Sequence, residues 1–169
     1  WGYTLLSDEE EIARVVPMIE AVKANFDIPI SLDTYKSGVA EAGIRAGADL
    51  INDIWGLKYD NHMAEVIAKS GLPCCLMHNR KEADYRENNL EIINCLEELN
   101  MFGYPLLLGC SRKSVIGLTL DLPVTERVEG TLVTTMFGVQ KGCMFVRVHD
   151  VKENVRTIKM CEAILNSSN

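Results

Sequence analysis

The feature that most constrains this chain is a recurring unit: a short apolar run, a polar tip, then an amphipathic stretch with helical spacing. The apolar runs are "PISLDT" from Pro29, "ADLINDI" from Ala48, "PCCLMH" from Pro73, "YPLLLGCSR" from Tyr104 and "CMFVRVHD" from Cys143. They have strand length and carry apolar residues on both faces, as strands of a parallel sheet covered by helices do. Parallel neighbours need long crossovers, and helical stretches stand between the runs. Alternation of this kind defines an α/β class.

The helical stretches carry their own punctuation. Ser7 and Glu10 form a capping box ahead of Ile12, Val15, Val16, Ile19 and Val22, which share one face. A second stretch runs through Val39 and Ile44 and stops near Gly47; a third runs through Met63, Val66 and Ile67 and ends at Gly71. "NNLEIINCLEELN" reads as one helix, and another spans roughly Thr125 to Gln140. The last begins at Asp150, a good N-cap, and runs through Val155, Ile158 and Ile164. No linker, charge block or low-complexity tract divides the chain, so residues 1–169 read as a single domain.

Composition excludes several classes of function. Apolar residues make up 47%, as in a globular chain. A net charge of -7 argues against a nucleic-acid or anionic-membrane surface. No apolar run is long enough to span a bilayer, and no signal-peptide pattern is present. The 6 cysteines lack metal or redox spacing and read as reduced core thiols of a cytoplasmic protein.

Polar residues collect at the carboxyl ends of the strands: Asp33, Asn52, His78, Ser111 to Lys113, and Arg147 with His149. In a (β/α) barrel that rim is the active-site face. An open doubly wound sheet places ligands at the same ends, but neither a Gly-rich dinucleotide fingerprint nor a P-loop is present. Arg112, Lys113, Arg147 and His149 suit phosphate oxygens, by fork, point charge and ring N–H. In an acidic chain such a cluster would draw in an anion. The plain alternatives are solvated turn residues for Arg112 and Lys113, and a rim salt bridge for Arg147 and His149. Asp33 and Asn52 suit a flat heterocycle with several N–H donors; a helix-capping role is the alternative. Met77 suits packing on a ring or filling a core. No His/Cys/Asp cluster has the spacing of a closed metal site. Ser114 lacks the partners of a nucleophilic triad.

Taken together, "PISLDTYK", "GADLINDIWG", "LMHNR", "GYPLLLGCSRKSVIG", "LPVTERVEGT" and "FVRVHDVKE" resemble the dihydropteroate synthases, over nearly the whole chain from Gly2 onward. "SRKS" and "RVHDV" are the specific segments; "LDT" and "LINDI" are shared with other pterin-binding barrels, methyltransferase domains among them. The resemblance implies a (β/α)8 TIM barrel that is incomplete here, with the first two strands and the sixth strand not present. A helix and a strand are missing between Arg80 and Leu90. It also implies a transferase that joins p-aminobenzoate to 6-hydroxymethyl-7,8-dihydropterin pyrophosphate and releases pyrophosphate. On matching positions, Asp33 and Asn52 bond the pterin, Lys113 bonds its ring edge and Met77 lines its slot. Arg147 packs along the pterin face and, with His149, holds pyrophosphate. Ser114 anchors the p-aminobenzoate carboxylate, with Arg112 nearby. The catalytic set is then Lys113, Arg147 and His149. The resemblance further implies Mg²⁺, whose Asn ligand falls in an absent segment, and a homodimer. Two other readings stay open: a pterin-binding fragment without catalysis, and a pterin-dependent methyltransferase domain of the same fold.

Overall fold

The computed structural model describes residues 4–78 and 85–168. The chain divides into two compact units, Trp1–Lys81 and Glu82–Asn169.

Unit 1 begins with helix α1 (Asp8–Asn25). Ser7 Oγ accepts the Glu10 backbone N–H at 3.2 Å, and four acidic residues fill the first turn. Both features satisfy or complement the positive helix N-terminus. Strands β1 (Ser31–Asp33), β2 (Leu50–Asp53) and β3 (Cys74–Leu76) form a parallel sheet in the order β1-β2-β3. Its register sets Leu32 beside Ile51, Asp33 beside Asn52, and Asp53 beside Leu76. The crossovers are α2 (Ser37–Ala46) and α3 (Met63–Ser70). Each ends in a left-handed glycine, Gly47 (φ 109°) and Gly71 (φ 68°), where a side chain would be strained. Ile19, Leu32, Ala40, Ala48, Ile51, Met63 and Ile67 form the core. Full burial of a Leu or Ile side chain contributes about 1.5–3 kcal/mol. Gly43 permits the close approach of α2 to the sheet: a Cβ there would lie 2.2 Å from Leu32 Cδ2.

Unit 2 opens with α4 (Tyr85–Asn94) and α5 (Leu96–Leu99), followed by a 3-10 turn at Asn100–Phe102. The single helix expected over "NNLEIINCLEELN" is broken at Cys95, whose backbone (φ -117°, ψ 24°) leaves the helical region. Strand β4 (Leu107–Leu108) then leads to α6 (Ser114–Leu120), α7 (Val128–Gln140), β5 (Phe145–Val146) and α8 (Val151–Leu165). β4 and β5 pair in parallel for two residues each, Leu107 with Phe145 and Leu108 with Val146. The core joins Ile93, Leu96 and Leu108, with Phe137, Cys143 and Val146 packed around them.

Helix α6 is not evident in the sequence. Its seven residues include Gly117 and three β-branched side chains, which are poor helix formers. Burial of Val115, Ile116 and Gly117 overrides that preference. The apolar face read for the last helix is also displaced. Val155 and Ile164 are 44% and 58% exposed, whereas Asn154 and Cys161 are buried. Strands covered on both faces hold only for β2. Cys74 and Leu76 on the edge strand β3 are exposed, as are Leu107 and Phe145 in the two-stranded sheet. Small sheets have proportionally more edge to leave uncovered. All six cysteines are free, but only Cys161 is buried and Cys74 is exposed, so they are not a set of core thiols.

Candidate functional site

In unit 1 the last rung of the β1–β2 ladder is polar. Asn52 is buried, and its Nδ2 donates to Asp33 Oδ2 at 3.0 Å. The Asn52 carbonyl accepts the Thr34 N–H at 3.2 Å, carrying the ladder one bond further. Asp33 itself is exposed. The carboxamide therefore fixes the carboxylate at the strand end and leaves acceptor oxygens beside each other. Neither residue caps α2 or α3, whose N-caps are Lys36 and His62.

The loops around this pair are held by charged groups. Asp53 is 1% exposed and accepts two backbone N–H bonds, from Trp55 to Oδ1 at 2.8 Å and from Leu57 to Oδ2 at 2.7 Å. That fixes a turn in which Gly56 and Leu57 both have positive φ. Met77, half-buried, donates its N–H to the Asp53 carbonyl at 3.1 Å. A Cβ at Gly56 would lie 2.8 Å from the Met77 carbonyl oxygen, so only glycine fits there. Lys36 is 6% exposed, with Nζ on the Leu6 carbonyl at 2.5 Å and near Glu11 at 3.1 Å and Asp8 at 3.4 Å. Burial disfavours its charge, but the two carboxylates outweigh burial and hold its pKa above the usual lysine value. Asp60 accepts the Ser37 N–H at 2.7 Å, which with the His62 N–H lowers its carboxyl pKa. Leu5, Leu6, Asp8, Lys36, Tyr59, Asp60, Asn61 and His62 line a cavity of about 390 Å³; Asp33 and Asn52 do not line it.

In unit 2 the polar group lies past the two-residue strands. Ser111 is buried; its Oγ accepts the His149 backbone N–H at 3.1 Å and lies 2.9 Å from His149 Nδ1. Arg112, in the left-handed region (φ 54°), donates to Asp150 from Nε at 2.9 Å and from Nη2 at 2.5 Å. The Arg112 guanidinium beside it holds the Asp150 carboxyl below the usual carboxylate range. Lys113 is half-buried and N-terminal to α6, whose first residue, Ser114, is exposed. Burial pushes the Cys110 thiol up, and the Lys113 ammonium opposes that shift. Arg147 is exposed with its guanidinium over Gly109, where a Cβ would lie 3.5 Å from Nη2. Among the described residues neither Lys113 nor Arg147 makes an ion pair, in contrast to Arg112.

Asp33 and Asn52 thus lie at the carboxyl ends of β1 and β2 and Met77 directly after β3, in unit 1; in unit 2 Arg112 and Lys113 lie in the loop from β4 to α6, Ser114 opens α6, and Arg147 and His149 follow β5. Of the segment "LMHNR", Asn79 and Arg80 lie outside the described residues. Sequence reasoning missed Lys36, Asp53, Arg127, Asp150 and Asn154 as supports. Their signal was a charged or amide residue inside the segments "LDTYK", "LINDI", "ERVEGT" and "VHDVKEN".

The polar strand ends and the parallel α/β units fit one family in particular. The chain belongs to the family described as pterin binding enzyme, which it matches over residues 2–88 and 83–149. Within that family its relatives are dihydropteroate synthases, transferases of folate synthesis. That of Clostridium beijerinckii is 49% identical over 204 residues, covering 97% of this chain and 76% of the relative. That of Bacillus subtilis is 41% identical, covering 98% of this chain and 72% of the relative. Among solved structures, the dihydropteroate synthase of Clostridium difficile, crystallised in the presence of pteroic acid, superposes with a TM-score of 0.87. It is 37% identical and covers 96% of this chain and 77% of that one. The Yersinia pestis enzyme with a sulfonamide drug complex gives 0.82 at 32% identity, over 96% and 76%. The architecture is an incomplete (β/α)8 barrel. The 204 aligned positions exceed the chain's 169 residues, and the family match breaks at 83–88, where a helix and strand were expected to be missing.

Proposed function

We propose that this chain carries the dihydropteroate synthase reaction: the amine of p-aminobenzoate displaces pyrophosphate from 6-hydroxymethyl-7,8-dihydropterin pyrophosphate. The observation that carries the reading is the bonded Asp33–Asn52 pair at a strand end, in a chain 49% identical to a dihydropteroate synthase. A pterin ring presents adjacent N–H donors on one edge, and a carboxylate beside a carboxamide is the matching acceptor set. Met77 supplies a polarizable apolar contact for the ring.

Arg147 and His149 serve the leaving group, and Lys113, set by the resemblance at the pterin ring edge, adds a cation beside it. Charge accumulates on pyrophosphate as the C–O bond breaks, and fixed cations favour that state over the ground state. When the Ser111 hydroxyl donates to His149 Nδ1, the ring proton sits on Nε2, which can then donate to a phosphate oxygen. Ser114 receives the p-aminobenzoate carboxylate. Arg112 is engaged by Asp150 and acts on the turn rather than on that carboxylate. The nucleophile is the substrate amine, so no covalent enzyme intermediate is needed. The Mg²⁺ that the resemblance implies would be held by an Asn in a segment without counterpart here, together with the substrate phosphates, and would neutralise charge on the leaving group. No step is assigned to the metal.

The free cysteines support a reducing, cytoplasmic setting, and among the described residues no helix is long and apolar enough to cross a membrane. Exposed Val133 and Met136 on α7, with Val151, Val155 and Ile164 on α8, support a homodimer. The internal break in the family match at 83–88 favours a second reading, pterin binding without turnover. Incubation with p-aminobenzoate and the pterin pyrophosphate decides. Dihydropteroate and pyrophosphate released in equal amounts support catalysis; pterin binding with no product selects the second reading.

A further inference from the structure

The β4–β5 pairing ends after two residues, yet its register does not. Leu107 faces Phe145 and Leu108 faces Val146. Ser111 then bonds His149, and Arg112 bonds Asp150, each pair separated by the same 38 positions. Side chains carry the ladder on where the backbone has stopped. Arg112 works through its side chain and both of its backbone groups. Its guanidinium holds Asp150, its N–H donates to Thr131 Oγ1 at 3.1 Å, and its carbonyl accepts from Arg127 Nη1 at 3.0 Å. These bonds keep it in a left-handed conformation that a non-glycine residue rarely adopts.

Asp150 stands at the N-cap of α8 but its side chain makes no capping bond. The carboxylate goes to Arg112 instead. Its carbonyl is held from behind by Asn154, through the backbone N–H at 3.1 Å and Nδ2 at 2.8 Å. Asn154 is 1% exposed, and its Oδ1 accepts from Thr135 Oγ1 at 2.7 Å. The Asp150 turn is thus clamped on both sides.

We propose that Asp150 is a positioning residue: through Arg112 it locks the 111–113 turn to the 147–149 turn, sets His149 for a pyrophosphate group, and keeps Arg112 off that group. This rests on the function proposed above and names the device that orders its anion-handling side. Two effects of the carboxylate oppose each other. By charge alone, Asp150 weakens anion binding, so Asp150→Asn would strengthen it. As a clamp, its loss lets the two turns drift, and binding weakens.

The test is calorimetry of the whole chain with inorganic pyrophosphate and, separately, with 6-hydroxymethylpterin. Asp150→Asn is expected to lower pyrophosphate affinity by about tenfold and to leave pterin affinity within about twofold. The Arg112 Nε–H signal in ¹H–¹⁵N spectra, protected from exchange in the parent, should become exchangeable. Arg112→Gln breaks the same pair from the other side and keeps the assay available should Asp150→Asn fail to fold. The double variant should bind no more weakly than the weaker single, because both substitutions remove one interaction. Pyrophosphate binding unchanged or tighter in Asp150→Asn overturns the clamp, as does an equal loss of both ligands. A parent chain that binds neither ligand overturns the function itself and this inference with it. A parent that binds both, with variants that match it, overturns the inference alone.

Discussion

The two polar strand ends differ in what holds them. Asp33 and Asn52 sit inside a backbone ladder: they are register partners, and the next bond, Thr34 N–H to the Asn52 carbonyl, is still main chain. Ser111 and His149 sit beyond a two-residue ladder, and side chains from α7 and α8 substitute for the missing backbone pairing. Backbone register is set by the hydrophobic pattern of the whole strand. A side-chain network stands or falls with single residues. The pterin side should therefore tolerate changes in its surroundings that the anion side does not.

The largest effect tests that contrast directly. Asn154→Leu removes the partner of the buried Thr135 hydroxyl and one of the two donors to the Asp150 carbonyl, and should cost about 2–4 kcal/mol of stability. Asp33→Ala removes the acceptor of the Asn52 amide, but at a strand end open to water that can replace it, and should cost about 1 kcal/mol. Urea unfolding of the two variants measures both, and equal costs would erase the difference between the regions.

Asp33→Asn comes next and sharpens the contrast from the ligand side. Asn accepts at one oxygen and presents donors where the carboxylate accepted. The loss in pterin affinity should be about 1–3 kcal/mol by calorimetry, with p-aminobenzoate binding much less affected. Unchanged pterin affinity would remove Asp33 from the site.

Arg147→Lys keeps the charge but loses the planar fork that lies over Gly109. The chemical step should slow by about tenfold, or about 1.4 kcal/mol, in pre-steady-state turnover. A rate within about threefold of the parent would reduce Arg147 to a rim charge.

The smallest effect is on acid stability. The folded chain lowers the pKa of Asp150 by its bonds to Arg112, and that of Asp60 chiefly by the Ser37 N–H. The unfolded chain protonates both near the ordinary value, about 4. Their contribution is therefore complete above that range and lost as pH falls through the lower folded values. Urea midpoints between about pH 6 and pH 3 should fall less steeply for Asp150→Asn and Asp60→Asn than for the parent.

The same contrast explains what could be read in the sequence. Strands β1 to β3 and their crossover helices were legible because period, caps and glycines agreed, from Ser7 through Gly47 to Gly71. The strand-end positions of Asp33, Asn52, Lys113, Arg147 and His149 followed from the same pattern. Helix α6 was not legible, since packing overrides the poor propensity of "SVIGLTL". The face of α8 was misread because the residue that anchors it, Asn154, is polar, and the apolar Val155 beside it is exposed. Nor did spacing show that Arg112 is claimed by Asp150, for a pair separated by 38 positions exists only once the chain has folded.

The division of labour between the two strand ends is tested most directly by titrating His149→Gln with inorganic pyrophosphate and with a pterin lacking phosphates. Glutamine keeps a donor but not the imidazole ring that lies against Ser111 Oγ. Pyrophosphate affinity should fall by about 1–2 kcal/mol while pterin affinity stays unchanged. An equal loss for both ligands would mean that His149 holds the architecture and not the anion, and would contradict the account.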